Sequence, residues 1–258
     1  MGILNVTPNS FSDGGRYFNA AGALAHARQM HDDGADIVDI GGESTRPGAQ
    51  PVGDDEELAR VIPLVEALAR DGLLVSVDTR KPAVMRAALT AGAAMVNDVC
   101  ALTATGAVEA VAASEAAVCL MHMQGDPRTM QAAPTYADVA AEVHGFLLAR
   151  AAACEAAGIA HERIALDPGF GFGKTQGHNL DLLRALPALA ASGYPVLVGL
   201  SRKTLLGQIT GRPVDQRMPA SIAAALAGVA RGALLLRVHD VRETSDALRT
   251  WLAIDGRH

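Results

Sequence analysis

Eight short apolar runs recur along the chain, and each gives way to a polar or charged side chain. Ile3-Leu4 leads into Asn5, Ile37-Val38 into Asp39, Leu73 to Val77 into Asp78, and Met95-Val96 into Asn97. Val118 to Met121 leads into His122, Ile164 to Leu166 into Asp167, Val196 to Leu200 into Ser201 and Lys203, and Leu234 to Leu236 into Arg237 and His239. Runs this short and this apolar are the signature of strands buried on both faces. Between them lie segments with helical spacing: Ala20 to Asp33, Asp55 to Asp71, Pro82 to Ala91, Ala107 to Glu115, Tyr136 to Ala157, Asn179 to Ser192, Pro219 to Arg231 and Val241 to Ile254. Pro82 suits a first helical turn, and Asp54 or Asp55 is placed to cap the second helix. A glycine follows the helical stretch at Gly34, Gly72, Gly92, Gly193 and Gly232, where it allows the left-handed conformation that stops a helix.

Strand and helix alternating eight times predict an α/β fold of the TIM (β/α)8 barrel type, with 258 residues matching one such domain of about 250. No linker or low-complexity stretch divides residues 1–258. The first strand begins almost at residue 1, so the segment that ordinarily precedes it in a barrel is expected to be missing. In a parallel barrel the eight polar strand exits open onto one face, which is where such folds carry their chemistry.

Composition narrows the function. Half the residues are hydrophobic but only 3% are aromatic, so helices are expected to pack through small side chains. A formal net charge of −6 opposes non-specific binding to nucleic acid or to an anionic membrane. The three cysteines, Cys100, Cys119 and Cys154, lack metal-ligand spacing and read as buried small apolar residues. No signal peptide or membrane span is visible, and a cytoplasmic protein is expected.

The polar exits then suggest a ligand. Asp78, Asn97 and Asp167 combine carboxylates with an amide, a set suited to a flat aminopyrimidinone ring that offers adjacent N–H donors. Lys203, Arg237 and His239 follow the last two strands, where barrels often bind phosphate. Glycines near Gly41 to Gly48 bring Thr45 and Arg46 close, and Asn5 offers an amide oxygen to Mg2+ beside a diphosphate. Gly173-Lys174-Thr175 imitates the end of a nucleotide phosphate loop, but Pro168 stands where that motif needs glycine. Phe170 and Phe172 are available either to cover a flat ligand or to fill the core. His122 reads either as a structural residue or as a catalyst, and Arg202 as part of a solvated rim.

These segments, taken in order, resemble the dihydropteroate synthase family. Residues Met1 to Gly15 are similar to its opening signature, Asp39-Ile-Gly-Gly-Glu-Ser-Thr-Arg-Pro-Gly48 to its second, and Asp167 to Lys174, Gly199 to Lys203 and Arg237 to Asp240 to later ones. The resemblance implies condensation of 6-hydroxymethyl-7,8-dihydropterin diphosphate with 4-aminobenzoate, with Mg2+, in a homodimer. It places Asp78, Asn97, Asp167 and Lys203 on the pterin with Arg237 stacked on it. It places Asn5, Thr45, Arg237 and His239 on the diphosphate, with Asn5 on the metal. Thr45, Arg46, Pro47, Phe172, Ser201 and Lys203 shape the aminobenzoate site, and Asp13 closes a loop over the reaction. Position 9 is Asn where the family usually has Asp. A methyl-transferring pterin barrel would share the Asp78, Asn97 and Asp167 set but has no use for the diphosphate group. Ala220 to Val229 is apolar nearly all round and is expected to meet a second subunit.

Overall fold

A computed structural model describes residues 1–6, 19–44, 48–126 and 129–256. Strands β1 (Gly2–Asn5), β2 (Ile37–Gly41), β3 (Leu74–Asp78), β4 (Met95–Asp98), β5 (Ala117–Met121) and β6 (Ile164–Asp167) form one sheet in chain order. Each neighbouring pair is parallel. The short strands β7 (Leu197–Val198) and β8 (Leu235–Leu236) pair with each other, also in parallel. Two single bridges complete the circle: Leu166 with Val196, and Gly2 with Val238. The second is fastened by Ile3 N donating to Val238 O at 3.0 Å and Val238 N donating to Met1 O at 3.0 Å. The sheet is therefore closed, and the (β/α)8 barrel expected from the pattern is present.

The helices between strands are α1 (Ala20–Asp32), α2 (Asp54–Arg70), α3 (Pro82–Thr90), α4 (Ala107–Ala112), α5 (Val139–Ala156) and α6 (Gln176–Ala190). After β7 come two, α7 (Thr204–Thr210) and α8 (Met218–Val229), and α9 (Val241–Ile254) closes the described chain. The five glycines predicted to stop helices all have positive φ, between 85° and 105°. Some boundaries differ from the sequence reading. The cap of α2 is Gly53, without a side-chain hydrogen bond, and not Asp54 or Asp55, which lie in the first turn. Helix α5 starts at Val139, not Tyr136, because the Asp138 carboxylate accepts from the Ala140 and Ala141 amides. Helix α6 starts at Gln176, ahead of Asn179, because Thr175 and His178 form a reciprocal cap.

Strand side chains alternate between two cores. The outer, larger core lies between strands and helices and includes Val38, Ile40, Val75, Val77, Val96, Val118, Leu120 and Leu166. The inner one fills the barrel: Met95, Cys119, Ala165 and Leu197, packed against Met1, Ile37, Ala117 and Leu235. Along β4 and β6 the same period of two that places Met95 and Ala165 in this inner layer places Asn97 and Asp167 one step nearer the exit end. The apolar plug thus forms a floor beneath the polar residues. Cys119 and Cys154 are buried as expected, whereas Cys100 is only half-buried.

Candidate active site

The exit end is organised around Arg237, which follows β8. Its Nε donates to Asp39 Oδ2 at 2.6 Å and its second terminal nitrogen to Asp78 Oδ2 at 2.7 Å. Asn97 Nδ2 donates to the same Asp39 oxygen at 3.1 Å. Four side chains from β2, β3, β4 and the β8 exit are therefore one hydrogen-bonded unit. Asp39 is fully buried, and its other oxygen has no hydrogen-bond partner among the described residues. Burial by itself would lower the Arg237 pKa, but the two carboxylates outweigh it and raise it further. Burial raises Asp78 to about 7, opposed by Arg237 and assisted by the like charge of Asp39.

Asp167 and Lys203 stand next to this unit. Burial raises the Asp167 pKa, while Lys203 and the Gly169 amide, which donates to Asp167 Oδ1 at 2.7 Å, pull it back. Burial lowers Lys203 to about 8, with Asp167 acting against that and Arg237 with it. The Lys203 ammonium donates to the Phe170 carbonyl and lies 4.7 Å from the centroid of the Phe172 ring. Phe170 is itself fully buried, which settles it as a core residue. Ser201 Oγ meets both the His239 amide, at 3.1 Å, and His239 Nδ1, at 3.0 Å. Asn5 and Asp78 flank Gly41: a Cβ there would sit 3.6 Å from Asn5 Oδ1 and from Asp78 Oδ2.

The predicted residues Asn5, Asp78, Asn97, Asp167, Phe172, Ser201, Lys203, Arg237 and His239 all lie at the strand-exit end. Arg202 turns away to pair with Asp240, as a rim residue should. Asp13, Thr45, Arg46 and Pro47 lie outside the described residues, as does position 9. Two charged residues were missed as site residues. Asp39 reads in sequence as a strand end but sits inside β2, two residues before its last, and a charge in the run Ile-Val-Asp-Ile was the available signal. Glu43, in the second signature, accepts from Arg80 at 2.9 Å and pairs with Lys81 at 2.8 Å, so it ties the loop after β2 to the loop after β3. Burial would raise its carboxyl, but these cations hold it below the ordinary range.

Residues 1–239 match the model of the family described as "Pterin binding enzyme". Dihydropteroate synthase of Neisseria meningitidis serogroup C is 55% identical, with 98% of this chain and 92% of that protein covered. The Escherichia coli K12 enzyme of the same name is 51% identical over 96% and 89% of the two chains. The crystal structure of Xanthomonas albilineans dihydropteroate synthase with 4-aminobenzoic acid superposes with a TM-score of 0.93 at 55% identity, covering 98% and 92%. The chain belongs to the dihydropteroate synthase family. Another structure of the family, from Burkholderia cenocepacia, was solved with 7,8-dihydropteroate and is 52% identical, with a TM-score of 0.90 and 99% and 90% coverage.

His122, read from the sequence either as structural or as catalytic, is 8% exposed at the exit of β5. Its Nδ1 lies 3.0 Å from Lys174 Nζ, and its ring packs edge-on against Phe146 at 5.1 Å. Burial, reinforced by the neighbouring Lys174 charge, pulls its pKa down to about 3. Its ring is therefore held in the uncharged form near neutrality.

Proposed function

We propose that the chain joins 6-hydroxymethyl-7,8-dihydropterin diphosphate to 4-aminobenzoate in the cytoplasm, releasing diphosphate and forming 7,8-dihydropteroate for folate biosynthesis. The observation that carries this reading is the convergence of Asp78, Asn97, Asp167, Lys203 and Arg237 on one mouth of the barrel. Relatives holding 4-aminobenzoic acid and 7,8-dihydropteroate are more than half identical to it.

The proposed sequence is dissociative. The bond from the pterin methylene carbon to the diphosphate oxygen breaks, and its electron pair leaves with diphosphate. The methylene cation is delocalised into the ring, where the carboxylates of Asp78 and Asp167 favour positive charge. Arg237 and His239 favour the departing anion. The 4-aminobenzoate nitrogen then forms the new C–N bond and gives up a proton to the departed diphosphate, with Ser201, Lys203 and Phe172 shaping its seat. Asp13, Thr45, Arg46 and Pro47 are assigned to loop closure, diphosphate and aminobenzoate on the resemblance alone. Closure would exclude the water that traps such a cation.

The residues fit Mg2+ bound chiefly by substrate. Asn5 supplies an amide oxygen beside Gly41, and among the described residues no cluster of three His, Cys, Asp or Glu side chains could hold a metal. Magnesium commonly uses few protein ligands and keeps waters and phosphate oxygens. When bound, it would neutralise charge on the leaving diphosphate.

A homodimer is also proposed. Helix α8 is apolar apart from Ser221, yet only Ser221, Ala225 and Gly228 on it are buried, which leaves Ile222 and Leu226 partly exposed on an outer helix. Light scattering at micromolar concentration should return the mass of two chains, and the mass of one would remove the dimer.

The reaction is tested by diphosphate release that depends on added 4-aminobenzoate. Asp167→Asn should lower turnover at least about a hundredfold, the loss of roughly 3 kcal/mol of transition-state stabilisation, without unfolding the barrel. Near-normal turnover by that variant would refute the role given to Asp167.

A further inference from the structure

Lys174 belongs to the segment that imitates a nucleotide phosphate loop, and none of the proposed substrate contacts uses it. A lysine in such a loop would reach outward to phosphate. This one is 3% exposed and turns inward. Its Nζ donates to Gly169 O at 2.9 Å and Phe172 O at 3.0 Å, both in its own loop. It also donates to His122 Nδ1 at 3.0 Å, with His122 O further off at 3.3 Å, both at the exit of β5.

The loop it holds is unusual in its bonding. Five consecutive carbonyls are each taken by a side chain: Gly169 and Phe172 by Lys174, Phe170 by Lys203, Gly171 by Gln131, and Gly173 by Tyr136 at 2.9 Å. A loop bonded in this way has its backbone position set by side-chain donors, three of them outside it and the fourth Lys174 itself. Two of the five bonds come from Lys174, and the same ammonium fixes the loop to β5. The Phe170 carbonyl and the Phe172 ring are the two groups that seat Lys203.

We infer that Lys174 is a positioning residue for the aminobenzoate half of the site, locking the loop after β6 to the exit of β5 so that Phe172 and Lys203 face the incoming amine. This rests on the proposed reaction for its substrate, but the lock itself does not. Loss of the lock moves the aminobenzoate seat and reaches the pterin only through Asp167, held by the Gly169 amide, and Lys203, because Asp78, Asn97 and Arg237, which belong to the hydrogen-bonded unit on other strands, stay in place.

The test uses the full chain and two variants, Lys174→Met and His122→Phe. The second removes one acceptor of the ammonium and keeps an aromatic ring against Phe146. Lys174→Met should raise KM for 4-aminobenzoate about tenfold or more and change KM for the pterin diphosphate less than about threefold. His122→Phe should give a smaller split of the same sign, and it decides the matter if Lys174→Met does not fold. Amide hydrogen exchange at residues 169–173 should rise in each folded variant, whether or not the chain turns over. Equal changes in both KM values, which a general loss of structure would give, would overturn the inference. So would unchanged exchange in the loop. Wild-type chain that releases no diphosphate on addition of 4-aminobenzoate would overturn the proposed reaction instead, and the exchange measurement would still judge the lock.

Discussion

Asp39→Asn is the change that probes the charge unit most directly. The substitution keeps the shape of the side chain and removes its charge. With its oxygen in the place of Oδ2, the new amide can still accept from Arg237 Nε and Asn97 Nδ2, which now lie at 2.6 and 3.1 Å. Its NH2 must then occupy the position of Oδ1, where no hydrogen-bond partner exists among the described residues. Losing the carboxylate's charge makes the Asn97 bond neutral and leaves the Arg237 bond charged on one side only, at a cost of about 1 kcal/mol, and an unsatisfied buried donor costs about 1–3 kcal/mol more. A total near 3 kcal/mol corresponds to an unfolding midpoint lower by roughly 6–12 °C for a domain of this size. The substitution also removes a like charge that raises Asp78, so the Asp78 carboxyl moves down from about 7. Calorimetric unfolding gives the first effect. Titration of the pterin diphosphate from below to above pH 7 gives the second, as a midpoint shifted to lower pH. An unchanged unfolding temperature together with an unshifted binding profile would refute the coupling of Asp39 to Arg237 and Asp78.

Two further outcomes are expected. Gly173 has φ of 63°, and a Cβ there would overlap the Gln124 carbonyl oxygen, so Gly173→Ala should cost about 2 kcal/mol or more and weaken aminobenzoate binding before pterin binding; equal stability would contradict the placement of this loop. Asp98 is fully buried, and its two oxygens accept from the Cys100 and Leu102 amides at 2.8 Å each; burial nevertheless raises it to about 6. A raised carboxyl gives a contribution fully present below its unfolded pKa and lost as pH rises through the folded value, so Asp98→Asn should flatten the pH dependence of stability between 3.8 and about 6. Unfolding measured across that window, with an unaltered slope, would contradict this.

Much of the barrel was legible because its cause is periodic. Strands buried on both faces must be short apolar runs, and many of the helices stop just before a glycine that takes positive φ, so Gly34, Gly72, Gly92, Gly193 and Gly232 mark the repeat. The cluster of Asp78, Asn97, Asp167, Lys203 and Arg237 was legible for a related reason, since parallel strands deliver their exits to one side. Helix starts were less so. The first turns of α5 and α6 are set by whichever oxygen reaches the free amides, Asp138 in one case and Thr175 in the other. The apolar period becomes visible only later in the helix. Asp39 was obscured because strand ends were judged by where the apolar run breaks, whereas pairing carries β2 on to Gly41. The residue types of Gly173-Lys174-Thr175 do not reveal that its lysine points inward, because the acceptors there are two backbone carbonyls of its own loop, which any sequence offers, and His122, 52 residues away.

The balance of charge at the exit bears on the proposed order of bond breaking. Three carboxylates, Asp39, Asp78 and Asp167, face two cations, Arg237 and Lys203. Arg237 is bonded to two of the carboxylates, which leaves Asp167 to be balanced chiefly by a lysine whose pKa burial has reduced to about 8. Lys174 also acts on Asp167, yet burial still raises both Asp78 and Asp167, so their surroundings oppose negative charge there unless positive charge stands beside it. In the proposed reaction a neutral pterin would not supply that charge, and a pterin methylene cation would. On that proposal the site would favour the ring more after diphosphate has departed than before, which is the kind of differential stabilisation that lowers a barrier. An associative displacement, in which the amine attacks while diphosphate is still attached, would gain little from carboxylates gathered on the ring, because positive charge would build on the amine nitrogen instead.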